Sequence, residues 1–404
     1  MADDPVAKNE SPCIALGVSS SIAAYKAAAL TSQCVKAGMD VNVLMTENAT
    51  RLVGPRTLLT LSRNPVITSL WDVPDWRPEH IALSQRARLL VIAPATANVL
   101  AKLATGIADD ALTTFALAHE GPVIVAPAMN PQMWRHPSVR ENCRILAERG
   151  VVFVDPEPGP VACGADAAPG RMAAVERIFR TIQVQLALPP AIHGKGAGRK
   201  LVVTAGPTRE PLDPVRFLTN RSSGKMGYAV AEVAAAMGFE TTIISGPVSL
   251  PLPVNCALVE AGTASAMRDA VMAEFTDATA LVMCAAVADF APKMVPAKIK
   301  KSDRDQLELR LQRTPDILAE IAKVKKPGQK VIGFAAESGD PVAEAKRKLC
   351  DKHLDLVVAN DISRADVGFG SDRNQAALVT AKGVESLPVM SKIDLAVKIL
   401  AQIA

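Results

Sequence analysis

The stretch 123–134, VIVAPAMNPQMW, places chemically useful side chains directly after a run of β-prone apolar residues. Met129, Asn130 and Met133 supply one amide and two thioethers just past the end of the predicted strand. Open α/β sheets bind ligands at the carboxyl ends of their strands. The pattern therefore predicts a ligand pocket at this corner. A plain helix start, with Asn130 as the cap and Pro131 at the first position, is the alternative interpretation.

Two further strand-end turns in the first half contain small and hydroxylated residues. Residues 17–21, GVSSS, join an apolar run to an alanine-rich segment, so the N–H groups of a helix start could bind a phosphate there. The loop lacks the pattern GxGxxG and favours a mononucleotide phosphate over a dinucleotide. Ordinary capping by serine is the alternative. Residues 93–98, APATAN, are suited to lie flat against a ring system.

His80 and Cys163 are the titratable candidates of the first half. His80 lies in EHIALS, and a histidine pKa suits proton transfer near neutral pH. A lone histidine is also a common surface or packing residue. Cys163 lies in VACGADAAPGRM, a loop rich in glycine and alanine. Such a loop could fold over a pocket, or it could be a surface loop with an incidental thiol.

Candidate phosphate and metal ligands occur in the second half. Gly224 lies in SSGKMG, but no glycine stands five positions before it and Met226 replaces the hydroxyl residue of a Walker A motif. The segment still predicts a phosphate cradle at a helix start. Asp289 ends the strand-end turn CAAVAD and could bind a divalent cation. Lys348 and Lys352 are four residues apart on a predicted helix and share one face.

Apolar runs that alternate with helical patterns position these candidates. The first-half strands are predicted at 13–18, 41–46, 89–93, 123–126 and 151–154, with a helix over 19–36. The second-half strands are predicted at 201–204, 241–245, 280–284, 331–334 and 356–359, followed by a hairpin over 376–389 and a helix. This alternation predicts two Rossmann-like α/β domains with parallel sheets.

Length and local composition predict the domain boundaries. A chain of 404 residues is long for a single core and suggests two domains. The glycine- and proline-rich stretch 188–198 is predicted to link them. We therefore expect a disordered tail at 1–11, a first domain at 12–187 and a second domain at 199–404.

Charge and cysteine usage exclude several classes of protein. The chain has 45 Lys and Arg residues against 41 Asp and Glu, and a formal charge of +4 is too small for a nucleic-acid-binding footprint. Its 7 scattered cysteines form no CxxC pair, which argues against a disulfide scaffold or a zinc site and for a reducing compartment. An apolar run of about 20 residues and a signal-like N-terminus are both lacking. We expect a cytoplasmic protein.

Taken together, the first-half motifs resemble the flavin-dependent cysteine decarboxylases, in particular phosphopantothenoylcysteine decarboxylases. GVSSSIAAYK, HIALS, APATAN, PAMNPQMW and ACG…GRM occur in the family's order and spacing over nearly all of residues 12–185. The resemblance implies a flavodoxin-like domain that binds FMN. It implies FMN contacts at Gly17, Ser19, Ser21, Thr46, Ser84, Pro94, Thr96, Asn98 and Met133. It also implies His80 as the base, Met129 and Asn130 as substrate contacts, and Cys163 as the proton donor on a lid.

The implied chemistry explains why such residues are needed. A β-thiol acid has no electron sink for the loss of CO₂. Oxidation of the thiol to a thioaldehyde by the flavin creates one, and the flavin reduces the product afterwards. The amide of Asn130 can hold a carboxylate without neutralising it.

The second half resembles the CTP-using bacterial phosphopantothenate–cysteine ligases. AGPTREPLDPVRFLTNRSSGKMG, AAVADF, KIKK, TPDIL, GFAAE and AND carry this resemblance across residues 200–370. It implies CTP contacts at Cys284, Ala285, Asp289, Lys298, Pro315, Asp316, Ile317, Leu318, Phe334, Lys348 and Lys352. Asp289 would also bind Mg²⁺, Lys298 would contact the triphosphate, and Lys348 and Lys352 would contact the phosphates. Asn220 would serve the acyl-cytidylate, with Arg216 beside it.

The fusion of these two halves is typical of bifunctional coenzyme A biosynthesis enzymes. The implied reactions join 4′-phosphopantothenate to cysteine with CTP, and then decarboxylate the product to 4′-phosphopantetheine. Kinship also implies a dodecamer built from trimers of the flavin half and dimers of the ligase half. A flavin-containing regulatory module that lacks the histidine or cysteine is disfavoured by His80 and Cys163. A flavin prenyltransferase fused to a kinase-like domain is disfavoured by PAMNPQMW and the Cys163 loop.

Overall fold

A computed structural model of the protein describes residues 11–71, 79–160, 168–300, 306–337, 340–361 and 370–404, with the backbone alone at 79–81 and 361. The contacts between Cα atoms divide the chain into two compact units, Met1–Leu186 and Ala187–Ala404. All but the last residue of the tail predicted at 1–11 lie outside the described residues.

The first unit alternates strands and helices. Its described strands are β1 (Cys13–Val18), β2 (Asp40–Met45), β3 (Val66–Ile67), β4 (Leu89–Ala95), β5 (Val123–Pro127) and β6 (Val152–Phe153). Its described helices are α1 (Lys26–Lys36), α2 (Glu47–Thr50), α3 (Pro55–Ser62), α4 (Glu79–Arg86), α5 (Ala97–Thr105), α6 (Ala111–Ala118), α7 (Pro131–Arg135), α8 (Pro137–Glu148) and α9 (Val175–Ala187). A 3₁₀ helix, Ile22–Tyr25, leads directly into α1.

The strands of the first unit form one parallel sheet in the order β3-β2-β1-β4-β5-β6. The chain changes direction across the sheet between β1 and β4, because β2 and β3 lie on one side of β1 and the later strands on the other. In open α/β sheets the carboxyl ends of the strands at such a switch point form a crevice. The turns at 17–21 and 93–98 follow β1 and β4 and therefore border it.

The second unit repeats this architecture with additions. Its described strands are β7 (Lys200–Ala205), β8 (Arg209–Pro211), β9 (Phe217–Thr219), β10 (Glu240–Ser245), β11 (Cys256–Glu260), β12 (Ala280–Met283), β13 (Phe290–Pro292), β14 (Leu311–Arg313), β15 (Lys330–Glu337), β16 (Leu356–Asp361), β17 (Arg373–Asn374), β18 (Ala376–Thr380), β19 (Gly383–Ser386) and β20 (Met390–Ser391). Its described helices are α10 (Lys225–Ala236), α11 (Ala264–Phe275), α12 (Ile317–Val324), α13 (Pro341–Asp351) and α14 (Lys392–Ala401), with a 3₁₀ turn at Pro190–Ile192.

The main sheet of the second unit has the order β11-β10-β7-β12-β15-β16-β18-β19. The six strands from β11 to β16 are parallel, and β18 and β19 add an antiparallel hairpin. The switch point lies between β7 and β12. The short pairs β8–β9, β13–β14 and β17–β20 lie outside this sheet.

Buried aliphatic residues fill both units, as expected for strands covered on two faces. Ile14, Leu90 and Ile92 of the first sheet and Val202 and Leu281 of the second are fully buried. Burial of one such side chain stabilises the fold by about 1.5–3 kcal/mol. Among the described residues, no helix combines the length and the apolar character that crossing a bilayer requires.

The prediction of two α/β domains with parallel sheets is confirmed, and each predicted strand matches an observed one within a few residues. In the two main sheets, the strands β3 and β11 were not predicted, and neither were the strands of the short pairs β8–β9, β13–β14 and β17–β20. In the stretch predicted as a linker, the N–H of Gly196 donates to the carbonyl oxygen of Met237 at 2.9 Å. A side chain at Gly196 would lie 2.3 Å from the ring of Phe239. The end of this stretch therefore packs on the second unit.

Candidate active sites at two sheet edges

Three hydroxyl residues cap helices at the carboxyl edge of the first sheet. Ser21 caps the 3₁₀ helix, Thr46 caps α2 and Thr96 caps α5, and each side-chain oxygen accepts one backbone N–H of its helix. The hydroxyls of Ser21 and Thr46 have no acceptor among the described residues, and the Thr96 hydroxyl lies 3.3 Å from that of Ser19. Ser21 and Thr46 can therefore donate their hydroxyl protons to an anion. This donor set fits a phosphate-bearing cofactor at the switch point.

Ser19 and Gly17 each have a structural role that was not predicted from the sequence. Ser19 is 1% exposed, and its hydroxyl donates to the carbonyl oxygen of Pro94 at 2.8 Å and accepts from the N–H of Thr96 at 3.0 Å. Its own N–H also points to the Pro94 oxygen, at 3.3 Å. Both donors of Ser19 thus join the turns after β1 and β4. A side chain at Gly17 would lie 2.4 Å from Leu112, so the glycine lets α6 pack on the sheet.

Asn130 caps α7, as the alternative interpretation of its motif expected. Its Oδ1 accepts the N–H of Gln132 at 2.8 Å, and Pro131 occupies the first turn. The cap uses only the oxygen of the amide. No described residue accepts a hydrogen bond from its Nδ2, which leaves two donors for a ligand. Capping and ligand binding by Asn130 are therefore compatible.

The segment that follows the Cys163 loop packs against this corner. The N–H of Met129 donates to the carbonyl oxygen of Gly170 at 3.0 Å, and a side chain at Gly170 would lie 2.6 Å from the Met129 oxygen. An isolated bridge between Glu157 and Arg171 closes the base of the same loop. The motifs PAMNPQMW and ACG…GRM are thus neighbours in the fold.

Cys163 lies outside the described residues. For His80 only the backbone is described, and it belongs to the first turn of α4. Their predicted roles therefore stay predictions.

The remaining predicted flavin contacts divide into two groups. Pro94 is buried at the end of β4, while Asn98 is exposed on α5 and Met133 is 48% exposed on α7, all near the carboxyl edge. Ser84 lies elsewhere, because its backbone contacts the ring of His119, which precedes β5. This contact places Ser84 towards the amino-terminal ends of the strands. The fold therefore does not bring Ser84 together with Pro94.

A cavity of about 700 Å³ lies at the carboxyl edge of the second sheet. It is bounded by the start of α10, the turns after β12 and β14, and one face of α13. Ten of the predicted nucleotide contacts line it, namely Cys284, Ala285, Asp289, Pro315, Asp316, Ile317, Leu318, Phe334, Lys348 and Lys352. Lys298, Asn220 and Arg216 are not among its lining residues.

Asn220 borders this cavity through its hydrogen bonds. Its Nδ2 donates to the carbonyl oxygens of Ala286 at 3.1 Å and Val287 at 3.3 Å, and both of these residues line the cavity. The amide therefore holds the turn after β12 in place. Arg216 does not share these partners, and its predicted place beside Asn220 at the acyl-cytidylate stays a prediction.

Arg216 instead anchors the loop that carries Lys298. Its guanidinium binds Asp213 through Nε at 3.0 Å and Nη2 at 2.7 Å, and Nη2 also donates to the carbonyl oxygen of Ile299 at 2.6 Å. Asp213 accepts the N–H of Ile299 as well, at 3.1 Å. Burial alone would raise the pKa of Asp213, but hydrogen bonds from Val215, Arg216 and Ile299 hold it well below its usual range. Lys298 itself is exposed beside this anchor.

Lys348 and Lys352 both bind other residues of the cavity wall. Lys348 Nζ donates to the carbonyl oxygen of Phe334 at 2.7 Å, and Lys352 forms an ion pair with Asp316. Burial lowers the pKa of Lys348, which the carboxylates of Glu344 and others partly offset. The two lysines fix the shape of this end of the cavity.

The first turn of α10 approaches the end of β7 because glycines leave room for it. Gly224 caps the helix with a φ of 75°, a left-handed conformation that favours glycine. A side chain at Gly227 would lie 2.7 Å from the Cβ of Ala205. Among the described residues, the N–H groups of Met226 and Gly227 have no acceptor. The exposed donors and the helix dipole suit a phosphate.

Asp289 is the predicted metal ligand, and it is exposed within the cavity lining. No cluster of three His, Cys, Asp or Glu side chains that could hold an ion exists among the described residues. A single carboxylate suits Mg²⁺ that arrives with substrate phosphates, because Mg²⁺ takes one or two protein carboxylates in such sites.

Several residues at these sites were not predicted as site residues. Asn374 and Lys392 line the cavity of the second unit, as does Lys225, which was predicted only as part of the phosphate cradle SSGKMG. Lys26 donates to the carbonyl oxygen of Met172 at 3.1 Å, beside the loop segment described above. Only Lys225 had a signal in the sequence, because it lies in SSGKMG.

Known proteins match nearly the whole length of the chain. Residues 4–187 match the family described as Flavoprotein, and residues 196–404 match the family described as DNA/pantothenate metabolism flavoprotein C-terminal domain. The Coenzyme A biosynthesis bifunctional protein CoaBC of Bacillus subtilis (strain 168) is 45% identical over 397 residues, which are 97% of this chain and 96% of that protein.

Two other relatives also match this chain over most of its length. The proteins of the same name from Mycolicibacterium smegmatis and Escherichia coli (strain K12) are 43% identical over 404 residues and 42% identical over 383 residues. These matches span 97% of this chain and 97% of the first protein, and 94% of this chain and 93% of the second. The chain therefore belongs to the family of bifunctional coenzyme A biosynthesis enzymes, which combine phosphopantothenoylcysteine decarboxylase and phosphopantothenate–cysteine ligase activities.

Proposed function

We propose that the two units of this chain catalyse consecutive steps on one substrate. The second unit joins 4′-phosphopantothenate to cysteine at the expense of CTP, and the first unit decarboxylates the product to 4′-phosphopantetheine. The observation that carries the proposal is the cavity of the second unit, where ten predicted nucleotide contacts from distant parts of the sequence lie together.

The ligase step needs activation of a carboxylate. A carboxylate does not acylate an amine in water, so its oxygen attacks the α-phosphorus of CTP, the bond to the β-phosphate oxygen breaks, and pyrophosphate leaves with the electron pair. The amine of cysteine then displaces CMP and forms the amide. Cationic side chains and a metal ion stabilise the charge that develops in the first step.

We assign the ligase roles from position. Asp289 would hold Mg²⁺, and Phe334 and residues 315–318, which line the same cavity, would contact the nucleotide. Lys348 and Lys352 complete the wall beside it. Lys298 reaches the triphosphate from the loop that Asp213 and Arg216 anchor. Asn220 holds the turn after β12 against the acyl-cytidylate.

For the first unit we propose FMN as the cofactor. Ser21, Thr46 and Thr96 would donate hydrogen bonds to it, while Pro94 and Asn98 would lie beside the ring. When bound, FMN supplies the oxidation of the substrate thiol and the later return of the electrons. Ser19 would act indirectly, by holding the turns after β1 and β4 together.

The protein's own groups orient the substrate and move its protons. The Nδ2 of Asn130 would hold the substrate carboxylate at the corner formed with Met129, without the full positive charge that would oppose the departure of CO₂. His80 would transfer a proton near neutral pH. Cys163 would donate a proton to the product. Kinship supports a homo-oligomer, and we propose a dodecamer of trimeric flavin and dimeric ligase domains in the cytoplasm.

One incubation tests both steps. Purified protein is mixed with phosphopantothenate, cysteine and each nucleoside triphosphate in turn, with and without Mg²⁺, and the products are identified by mass spectrometry. We expect 4′-phosphopantetheine with CTP, and a visible flavin spectrum. A protein that stays colourless after reconstitution with FMN contradicts the first assignment, and amide formation that does not depend on CTP contradicts the second.

A further inference from the structure

Two buried polar side chains at one end of the cavity in the second unit lack the partners that their chemistry requires. Asn374 ends β17 and Lys392 begins α14, and both line the cavity. The pairing of β17 with β20 sets Asn374 opposite Met390, and the N–H of Lys392 donates to the carbonyl oxygen of Asp372 at 3.0 Å. These bonds hold the two segments side by side. Neither residue is among the nucleotide contacts that the resemblance implies.

The amide of Asn374 lacks a hydrogen-bond donor. The residue is 4% exposed, and its Oδ1 is buried without a partner. A buried polar group without a partner is costly, and native proteins rarely keep one unless a water, an ion or a ligand satisfies it. An ionised phosphate or carboxylate cannot do so, because it offers only acceptors. A ligand that satisfies Asn374 must therefore carry an N–H or O–H group.

The ammonium group of Lys392 lacks a negative partner. The residue is 8% exposed, and its Nζ donates to the neutral carbonyl oxygen of Ser371. Among the described residues, no carboxylate forms an ion pair with Lys392, and the nearby Asp372 is paired with Lys225 at 2.7 Å. Burial lowers the pKa of Lys392, the charge of Lys225 lowers it further, and Asp372 offsets part of the change. Buried charges are normally paired, so the anionic group of a ligand fits here.

One small molecule can supply both partners. A free α-amino acid has an amine and a carboxylate attached to the same carbon, and the proposed ligase reaction consumes such a molecule, cysteine. A phosphate would pair with Lys392 and leave Asn374 unsatisfied, whereas a neutral hydroxyl would do the reverse. The two unmet partners of the cavity therefore favour an amino acid over either of these.

We propose that Asn374 and Lys392 bind the amino-acid substrate of the ligase, with the Lys392 ammonium on its carboxylate and the Asn374 Oδ1 on its amine. The inference rests on the proposed ligase function and names the site of its amine substrate. A neutral amide oxygen accepts from the amine without stabilising a positive charge on it, whereas an aspartate there would favour the unreactive ammonium form. The nearby charges of Lys225 and Lys392 also disfavour that form.

The arrangement suits the second step of the ligation. Only a neutral amine has the lone pair that attacks the acyl carbon. As the new N–C bond forms, the C–O bond to CMP breaks, CMP leaves with the electron pair, and the amine loses one proton to the solvent. Lys225 lines the same cavity and belongs to SSGKMG, the segment whose N–H groups suit a phosphate. The amino acid therefore lies beside the phosphate end of the activated substrate.

The test separates the two groups of the amino acid. The full-length protein is loaded with the acyl-cytidylate by incubation with phosphopantothenate, CTP and Mg²⁺ but without cysteine. Consumption of the cytidylate is then followed by mass spectrometry of acid-quenched samples, at rising concentrations of cysteine or of cysteamine, which lacks the carboxylate. In the wild type, the second-order rate constant should be at least about 10-fold higher for cysteine than for cysteamine.

Each variant should remove one contact. Lys392→Met should lower the rate constant for cysteine about 10- to 100-fold and leave that for cysteamine close to the wild-type value. Asn374→Leu should lower both rate constants by the same factor, about 3- to 10-fold, because both molecules carry the amine. Cytidylate formation before the amine is added shows that the cavity is folded. Lys382→Met, on the exposed β18–β19 turn, is the matched control.

A stability measurement checks the unpaired amide independently. Asn374→Leu removes a buried polar group that has no partner in the ligand-free protein, so its urea midpoint should not fall below that of the wild type. A clear fall would show that the fold itself satisfies the amide, and would contradict the inference.

Three kinetic results would also overturn the inference. The wild type could react equally well with cysteine and cysteamine, or Lys392→Met could slow both amines by the same factor. Both variants could also fail to form the cytidylate at a normal urea midpoint, which would assign the two residues to the nucleotide or the acyl substrate. A wild-type protein that makes no cytidylate from CTP contradicts the proposed function itself, so the two failures are distinguishable.

Discussion

The side-chain amide of Asn220 donates a hydrogen bond of 3.1 Å to the carbonyl oxygen of Ala286. This bond joins the end of the β8–β9 hairpin to the turn after β12, which forms one wall of the cavity in the second unit. Because two carbonyl oxygens face the same Nδ2, an oxygen at that position would be repelled. The bond therefore makes the geometry of the cavity wall depend on an amide at position 220.

Asn220→Asp tests this dependence. The carboxylate cannot donate to Ala286 and Val287, so the wall should shift where the acyl-cytidylate meets cysteine. We expect the cytidylate to form and accumulate, while amide formation falls about 100-fold, similar to the loss of a positioned donor in other active sites. Mass spectrometry of acid-quenched reactions measures both species. A variant that makes the amide at the normal rate contradicts the role given to Asn220.

Lys298→Gln should prevent the cytidylate from forming, whereas Asn220→Asp should let it accumulate. Lys298 is exposed, so its replacement should leave the free energy of unfolding within about 0.5 kcal/mol of the wild-type value. Cytidylate formation should fall at least about 100-fold, because a cation on the triphosphate is lost. Lys293→Gln, exposed on the same loop, is the matched control and should retain activity. Normal amounts of cytidylate from the Lys298 variant would remove Lys298 from the mechanism.

The main strands of both sheets were predictable because each is rich in buried apolar or β-branched residues. β11 was missed for a physical reason: it is an edge strand with largely exposed side chains, so its sequence, CALVE, carries no run of buried residues. β3 has only two residues and leaves no pattern. Hydrophobic patterns in a sequence indicate buried strands, and the side chains of these two strands are partly or largely exposed.

The sites were predictable only where a motif is local. PAMNPQMW and TPDIL each place several residues on one turn, so their sequence alone indicates a site. The pair Ser19 and Pro94 is separated by 75 residues, and Lys225 and Asp372 by 147. Such partners depend on which strands are neighbours in the sheet. No spacing rule could therefore have assigned Ser19 a clamping role or brought Lys392 to the cavity.

Asn130→Asp should separate the two roles proposed for this side chain, which are to cap α7 and to bind the substrate carboxylate. A carboxylate can still accept the N–H of Gln132 and cap α7, so the fold and the bound flavin should be retained. It cannot donate to the substrate carboxylate and repels it, so decarboxylation should fall at least about 100-fold. The flavin spectrum and the release of 4′-phosphopantetheine are measured together. Asn142→Asp on α8 controls for the charge change, and an active Asn130→Asp variant would exclude the proposed contact.

Ser19→Ala should affect stability more than flavin chemistry. The substitution leaves the Thr96 N–H without its serine partner and leaves the buried Pro94 oxygen with only the backbone N–H of residue 19, which should cost about 1–3 kcal/mol of unfolding free energy. Urea unfolding followed by flavin fluorescence measures this loss. Ser20→Ala, at the exposed neighbouring position, should cost less than about 0.5 kcal/mol. Weaker FMN binding without a change in stability would instead indicate that Ser19 binds the phosphate directly.

Asp213 should make the stability of the second unit depend on acid pH. Its folded-state pKa is well below the ordinary value of 3.8, so the ionised carboxylate stabilises the fold above that value. This contribution should decline as the pH falls below 3.8, because the unfolded chain then binds a proton that the folded chain does not. Urea midpoints between pH 7 and pH 3 should therefore fall less steeply in Asp213→Asn than in the wild type.

The same variant should also slow the ligase step, because Arg216 and Ile299 lose the anchor that positions the Lys298 loop. Asp269→Asn removes an exposed carboxylate paired with Arg268 and is the matched control for both measurements. If Asp213→Asn and Asp269→Asn show equal pH dependence, the buried carboxylate does not stabilise the hairpin in the way its hydrogen bonds indicate. A fall in cytidylate formation without any change in the pH dependence would confine Asp213 to positioning the loop.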